Sequence, residues 1–191
     1  MAQLFWKTGC MDSGKTLQLL ATKHNYDQYG RHCIIMSPTL DTRSGEGHVS
    51  SRVAGMDEPA VPISKDMDIY HYVATLDYKP DAILIDEAQF LQVDQVDQLA
   101  NIVDILAIPV IAFGLRSNFK GELFDASKRL YELADKLEEV KTICAYCNRK
   151  AIMNGLFEDG KLVTEGSTIH VGDKAYKPLC RYHYKKFRGE Y

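Results

Sequence analysis

The chain has 191 residues, of which 46% are hydrophobic and 26% charged, and its formal net charge is −3. This length suits one globular domain with a small addition, and an acidic balance argues against a nucleic-acid partner. No apolar run is long enough to span a membrane, and the first ten residues, MAQLFWKTGC, do not read as a signal peptide. Five cysteines, three of them in a metal-like pattern, favour a reducing compartment, so we expect a cytoplasmic protein without a membrane partner.

Apolar strands alternate with helical patterns along most of the chain. Strands are predicted at residues 2–7, at residues 33–37, in AILI after Pro80 and in VIAFGL after Pro109. Helical patterns occupy LQLLATKH, MDIYHYVATLDY, VDQLANIVDILA and ASKRLYELADKL, and the polar residues 39–51 predict a loop. This alternation predicts an α/β fold with a mostly parallel sheet flanked by helices.

The pattern changes after Glu138. Short strand-like pieces follow, with a hairpin turn predicted at Asp159-Gly160 and all of the metal-type residues. We therefore predict two domains, a nucleotide-binding domain of residues 1–140 and a small, β-rich, zinc-binding domain of residues 141–191.

The segment GCMDSGKT has the pattern of a phosphate-binding loop. Its residues are Gly9, Cys10, Met11, Asp12, Ser13, Gly14, Lys15 and Thr16. In such a loop backbone N–H groups surround the phosphates, the lysine reaches the β- and γ-phosphates, and the hydroxyl residue binds Mg²⁺. The alternative is a glycine turn without function, but a predicted strand before it and a predicted helix after it favour the P-loop NTPase type of fold.

Two carboxylates follow the buried strand AILI. An apolar strand that ends in an acid is how P-loop proteins hold Mg²⁺, which predicts this role for Asp86. Glu87 is then available to accept the proton of an attacking hydroxyl or to orient an attacking water. A solvated acidic strand end is the alternative, and the glycine loop in the same chain argues for function.

Two Cys/His pairs lie near the carboxyl end of the sequence. They are CAYC, with Cys144 and Cys147, and CRYH, with Cys180 and His183. Two pairs at this spacing supply the four tetrahedral ligands of a zinc ion, and four protein ligands leave no open position. We therefore predict a structural zinc site rather than a set of reduced, buried cysteines.

These motifs, in this order, closely resemble the thymidine kinases of the bacterial and animal-cytosolic type. The resemblance rests on GxMxSGKT, DTR, DEAQF and CxxC…CxxH, while FGLRSNFKGELF and CRYHY resemble the bacterial branch. It covers nearly the whole chain. It implies phosphoryl transfer from ATP to the 5′-hydroxyl of thymidine, and of deoxyuridine, with Glu87 as the base that accepts the hydroxyl proton. Ala88 and Gln89 would belong to the stretch that lines the phosphate site.

The resemblance also implies a nucleoside pocket closed by a segment that the zinc site tethers. The matching side chains are Met11, Phe90, Leu115, Phe119 and Tyr176. Flat aromatic and thioether walls suit a pyrimidine, although Leu115 and Phe90 can equally be core residues. Two departures concern this segment: Val171 stands where a glycine is expected, and no basic residue lies near Leu156.

Further expectations come from the family or are left open. The resemblance implies a homotetramer and feedback inhibition by thymidine triphosphate. In the DTR segment, Asp41 and Arg43 form either a solvated loop or a site where Arg43 contacts the transferring phosphoryl group. The alternative function is a small zinc-ribbon P-loop ATPase acting on DNA, in which Glu87 would activate water. A non-catalytic interaction module is disfavoured by the intact lysine, hydroxyl and carboxylates.

Overall fold

The computed structural model describes residues 1–39, 47–51, 55–166 and 175–191. In chain order its elements are β1 (Leu4–Gly9), α1 (Lys15–Gln28), β2 (Cys33–Pro38), β3 (His48–Ser51), β4 (Met56–Pro59), β5 (Val61–Ile63), α2 (Ile69–Ala74), β6 (Ala82–Ile85), a 3-10 turn (Ala88–Phe90), α3 (Val93–Leu106), β7 (Val110–Leu115), α4 (Asp125–Leu133), β8 (Lys136–Glu139), β9 (Met153–Glu158), β10 (Lys161–Leu162), β11 (Ala175–Leu179) and α5 (Arg181–Phe187). None of the described helices is long and apolar enough to cross a membrane.

The main element is a six-stranded sheet with the order β5-β2-β6-β7-β1-β8. Every pairing between these neighbours is parallel, which confirms the predicted α/β class. Because parallel strands point the same way, the carboxyl ends of β1, β6 and β7 lie at one edge of the sheet. Gly9, the last residue of β1, is in register with Leu115, the last residue of β7.

Helices cover both faces of this sheet. On one face, α2, α3 and α4 pack against alternate strand residues that include Trp6, Met36 and Ile85. On the other face, Leu19 and Leu20 of α1 pack against a second set, which includes Cys33, Ile35, Ala82, Leu84, Ile111 and Phe113. Strands β6 and β7 are buried along their whole length, as expected for central parallel strands.

A second, smaller unit follows the parallel sheet. Strands β10, β9 and β11 form an antiparallel sheet, with α5 packed beside it. Positive φ angles of 49° at Asp159 and 76° at Gly160 form the turn between β9 and β10, so the predicted hairpin is confirmed. The buried core of this unit is small and contains two of the candidate metal ligands. The domain boundary at residues 140 and 141 stays a prediction.

Two local predictions were wrong. The pattern ASKRLYELADKL predicted a helix as far as residue 137, but α4 ends at Leu133 and residues Lys136–Glu139 form the edge strand β8. Backbone pairing with β1 decides this segment, whose side chains are exposed and carry little pattern of their own. The predicted loop of residues 39–51 also contains a strand, His48–Ser51, which pairs with Met56–Pro59.

Candidate active site

The phosphate-loop sequence lies between β1 and α1, at the carboxyl edge of the sheet. Its last residue before the helix, Gly14, caps α1, so the positive end of the helix and its free N–H groups face the loop. Gly9 is packed so closely that a Cβ there would lie 2.5 Å from the Val140 carbonyl oxygen and 2.5 Å from Ser13 Oγ. The loop therefore closes tightly against the end of β8.

Lys15 is buried beneath this loop. Its Nζ donates to the Cys10 carbonyl oxygen at 2.7 Å and to Ser13 Oγ at 3.4 Å. Burial lowers the pKa of Lys15, while the nearby carboxylates of Glu87 and Asp86 raise it. The ammonium group thus lies near a backbone carbonyl, a hydroxyl and two acids, at the point where a phosphate would need a positive charge.

Thr16 joins the phosphate loop to the end of β6. Its Oγ1 donates to Asp86 Oδ2 at 3.1 Å, and the Glu87 N–H donates to Asp86 Oδ1 at 3.0 Å. Burial, followed by the charge of Glu87, raises the pKa of Asp86 to about 7 despite these hydrogen bonds. The two adjacent carboxylates and the Thr16 hydroxyl offer oxygen ligands, which suit a hard divalent cation such as Mg²⁺.

Glu87 has an unusual backbone conformation. Its φ angle is 47°, in the left-handed region that non-glycine residues seldom adopt, and it precedes the 3-10 turn. Gln89, two residues later, is buried, and its Nε2 donates a short hydrogen bond to Glu87 Oε2. The same amide accepts a hydrogen bond from the Leu115 N–H at 2.9 Å. Glu87 is therefore held beside the end of β7.

Three of the side chains expected to bind the nucleoside lie near this edge of the sheet. Leu115 ends β7 and is 9% exposed, and Phe119 is 1% exposed although its sequence setting had indicated a loop. The Phe119 carbonyl oxygen accepts a hydrogen bond from Tyr184 of α5 at 2.8 Å. Phe90 is half-buried and meets Phe124 edge to face, with a distance of 5.8 Å between the ring centroids.

Asn154, which the sequence reading missed, connects the smaller unit to the phosphate loop. Its Oδ1 accepts the Met11 N–H at 2.9 Å and its Nδ2 donates to the Ser117 carbonyl oxygen at 2.8 Å. We call these two hydrogen bonds the Asn154 bridge. Asn154 and Leu156 share one face of β9, and Tyr176 of β11 pairs with Leu156, so its side chain lies on that face too. In the sequence, Asn154 is marked only as a polar residue within the mostly apolar stretch MNGLF.

Three residues singled out from the sequence, Asp41, Arg43 and Val171, lie outside the described residues. Leu156 is described, and it is completely buried in β9.

The four predicted metal ligands come together in the smaller unit. One ligand atom from each of Cys144, Cys147, Cys180 and His183 lies within 4.8 Å of the others. The sulfurs of Cys147 and Cys180 are 3.8 Å apart, and His183 Nδ1 is 3.4 Å from the sulfurs of Cys144 and Cys180. Zn–S bonds of about 2.3 Å in a tetrahedron require S···S distances of about 3.8 Å. The cluster therefore fits a zinc ion.

Hydrogen bonds favour the thiolate form of one ligand. Burial raises the pKa of Cys144, but N–H groups of Cys180 and Tyr146 and the side chain of His183 outweigh it, and the pKa falls to about 6. Because metals bind the thiolate, this environment favours metal binding.

Fold and site together define a P-loop-type nucleotide-binding protein with an appended Cys3His unit. A sequence profile described as thymidine kinase matches residues 2–184. The thymidine kinase of Streptococcus pyogenes serotype M3 is 51% identical over 185 residues, which cover 96% of this chain and 97% of that protein. The thymidine kinase of Streptococcus agalactiae serotype Ia has the same identity and the same coverage of both chains, 51%, 96% and 97%. The chain belongs to the thymidine kinase family.

Two helicase structures resemble the chain more weakly. The Pif1 helicase from Candida albicans has a TM-score of 0.42 and 13% identity, covering 74% of this chain and 36% of the helicase chain. Bacteroides Pif1 bound to single-stranded DNA has a TM-score of 0.39 and 15% identity, covering 72% of this chain and 38% of that one. Similarity this low does not indicate a shared function. Membership of the thymidine kinase family favours the kinase over the DNA-acting ATPase.

Removal of the Asn154 bridge should lower stability. Asn154→Ala removes the partner of the Met11 N–H, in a half-buried residue, and of the buried Ser117 carbonyl. We expect the free energy of unfolding in urea to fall by about 2–4 kcal/mol. The exposed Asn148 provides the control, since Asn148→Ala should change it by less than about 0.5 kcal/mol. Equal stability of the two variants would contradict a contribution from the bridge.

Proposed function

We propose that this chain transfers the γ-phosphoryl group of ATP to the 5′-hydroxyl of thymidine, and of deoxyuridine, in pyrimidine deoxynucleotide salvage. The observation that carries the proposal is the contact between the phosphate loop and the acidic end of β6, where Thr16 and Asp86 are 3.1 Å apart, in a chain of the thymidine kinase family. The substrates are inferred from the family, and the location of the reaction is inferred from this contact.

The phosphate loop would hold the nucleotide. Backbone N–H groups of residues 9–16 and the first turn of α1 surround the phosphates, and Lys15 leaves its carbonyl acceptor to reach the β- and γ-oxygens. Thr16 and Asp86 would hold Mg²⁺, which neutralises phosphate charge during the transfer. The residues from Asp86 to Gln89, including Ala88, line the same site.

Glu87 is the proposed general base. The 5′-hydroxyl oxygen forms a bond to the γ-phosphorus, the bond to the bridging oxygen of ADP breaks, and the hydroxyl proton passes to the Glu87 carboxylate. Asp86 is less suited to this role because it is 5% exposed and accepts hydrogen bonds from Thr16 and from the backbone. Glu87 is half-buried beside it and is therefore reachable from the acceptor side.

The pyrimidine would bind between the phosphate loop and the smaller unit. Its proposed contacts are Met11, Phe90, Leu115, Phe119 and Tyr176. The Asn154 bridge supports this location because it fixes Met11 against the strand pair that carries Tyr176. An apolar pocket distinguishes deoxyuridine, which lacks one methyl group, by only about 1–3 kcal/mol. Arg43 is proposed as a contact of the transferring phosphoryl group.

The remaining proposals follow from the family resemblance and the Cys3His cluster. Zinc in a site with four protein ligands would stabilise the smaller unit, which we propose is a domain of residues 141–191 that closes over the nucleoside. We also propose a cytoplasmic homotetramer that is inhibited by thymidine triphosphate.

A panel of acceptors tests the function directly. With Mg²⁺ and ATP, thymidine and deoxyuridine should each drive ADP release with an equal amount of nucleoside monophosphate. Other deoxynucleosides, single-stranded DNA and buffer should give little turnover, and Lys15→Ala should abolish it. DNA-stimulated ATP hydrolysis without a phosphorylated nucleoside would instead establish the ATPase alternative.

Replacement of the base tests the role of Glu87. Glu87→Gln keeps the shape of the side chain but cannot accept the proton, so kcat should fall by about 10²–10⁴-fold. Glu132→Gln serves as a control, because this exposed residue forms only a surface ion pair with Arg129. A loss of less than tenfold in Glu87→Gln would mean that Glu87 is not the base.

Metal removal tests the tethered unit. The proposed zinc ligands would hold α5 next to the strands that carry Asn154 and Tyr176, whereas Lys15 and Thr16 begin α1, which packs on the parallel sheet. Chelation should therefore raise the KM for thymidine more than the KM for ATP, and added Zn²⁺ should reverse the change. Cys33→Ser, outside the cluster, should keep the metal. An unchanged thymidine KM in metal-free protein would show that the unit does not close the nucleoside site.

A further inference from the structure

Gln89 makes two hydrogen bonds that use both ends of its amide. It is 3% exposed, its Oε1 accepts the Leu115 N–H at 2.9 Å, and its Nε2 donates to Glu87 Oε2. An amide with a backbone donor on one end and a carboxylate on the other has only one satisfactory orientation. Gln89 therefore connects the acidic turn after β6 to the end of β7.

The position on β7 that Gln89 contacts is itself fixed. The Leu115 carbonyl oxygen accepts a hydrogen bond from Ser127 Oγ of α4 at 2.7 Å, and Ser127 is completely buried. Leu115 is thus held on its N–H side by Gln89 and on its carbonyl side by α4. Because this backbone segment is fixed, the Gln89 amide that hydrogen-bonds to it is fixed as well.

Gly114 provides the space that Gln89 occupies. A Cβ at this position would lie 2.4 Å from Gln89 Oε1 and 3.1 Å from the Gln89 backbone nitrogen. A glycine inside an otherwise apolar buried strand costs stability, and here it permits the close approach of the amide to β7.

We propose that Gln89 is a positioning residue, which acts by holding the Glu87 carboxylate in the orientation that accepts the proton of the acceptor hydroxyl. The proposal rests on the function assigned to Glu87 above. Without the amide, the Glu87 side chain has rotamers that point away from the acceptor. A base displaced by about 1 Å can lose roughly a hundredfold in rate, while the binding of either substrate is little affected.

A double-mutant cycle tests this role. Gln89→Met has a similar length but forms neither hydrogen bond, so kcat should fall by about tenfold to a hundredfold with KM values for ATP and thymidine within about threefold. In the Glu87→Gln background no base remains to be positioned. The further loss caused by Gln89→Met should therefore largely disappear there.

Two other variants separate positioning from folding. Gln95→Met removes a comparably buried glutamine, 2% exposed, whose amide donates to the backbone oxygens of Ser64 and Met67 at 2.8 and 3.1 Å. It should reduce stability and leave kcat unchanged below the unfolding temperature. If Gln89→Met folds poorly, Gln89→Asn retains a neutral amide but is one methylene shorter, so it cannot reach the Leu115 N–H and Glu87 at once, and it should show the same loss of kcat.

The outcomes distinguish the two proposals. Equal losses from the Gln89 variant with and without Glu87 would overturn the positioning role and leave the base assignment intact. A rise in the KM for ATP with unchanged kcat would also overturn it, in favour of a phosphate contact. A loss of less than tenfold in Glu87→Gln alone would overturn the base assignment and the positioning role together.

Discussion

The hydrogen bond between Thr16 and Asp86 joins the two segments that make this a nucleotide site. It forms because the parallel sheet places the carboxyl ends of β1 and β6 at the same edge, with β7 between them. The charge of Glu87 raises the pKa of Asp86, and the charges of both acids raise the pKa of the buried Lys15 against the effect of its burial. The apolar sheet therefore supports an edge at which three ionisable side chains interact.

The smaller unit depends on this edge and contributes to it. Its core is small, and the four candidate zinc ligands bring together the loop before β9, the residue after β11 and α5. The Asn154 bridge and the hydrogen bond from Tyr184 to the Phe119 carbonyl attach it to the phosphate loop and to the segment after β7. The phosphate loop therefore joins the parallel sheet to the smaller unit.

The sequence predicted the features that depend on local pattern. The phosphate loop, the acidic strand end and the two Cys/His pairs each follow from residue types at fixed spacing, and the fold class follows from alternating strands and helices. The wrong assignments, at β8 and at His48–Ser51, concern segments whose structure comes from backbone pairing with other strands. The Asn154 bridge and the contact of Gln89 with β7 could not be predicted because the partners are distant in sequence, 143 residues between Met11 and Asn154 and 26 between Gln89 and Leu115. The nucleoside contacts stay predictions.

The distance between Met11 and Asn154 has a consequence for synthesis of the protein. Met11 of the phosphate loop leaves the ribosome 143 residues before Asn154, and the last metal ligand, His183, follows later still. A nascent chain can therefore form part of its parallel sheet while the phosphate loop still lacks its hydrogen bond to Asn154. The loop gains this contact only after β9 has been synthesised, so the position of Met11 is fixed only once the smaller unit has begun to fold.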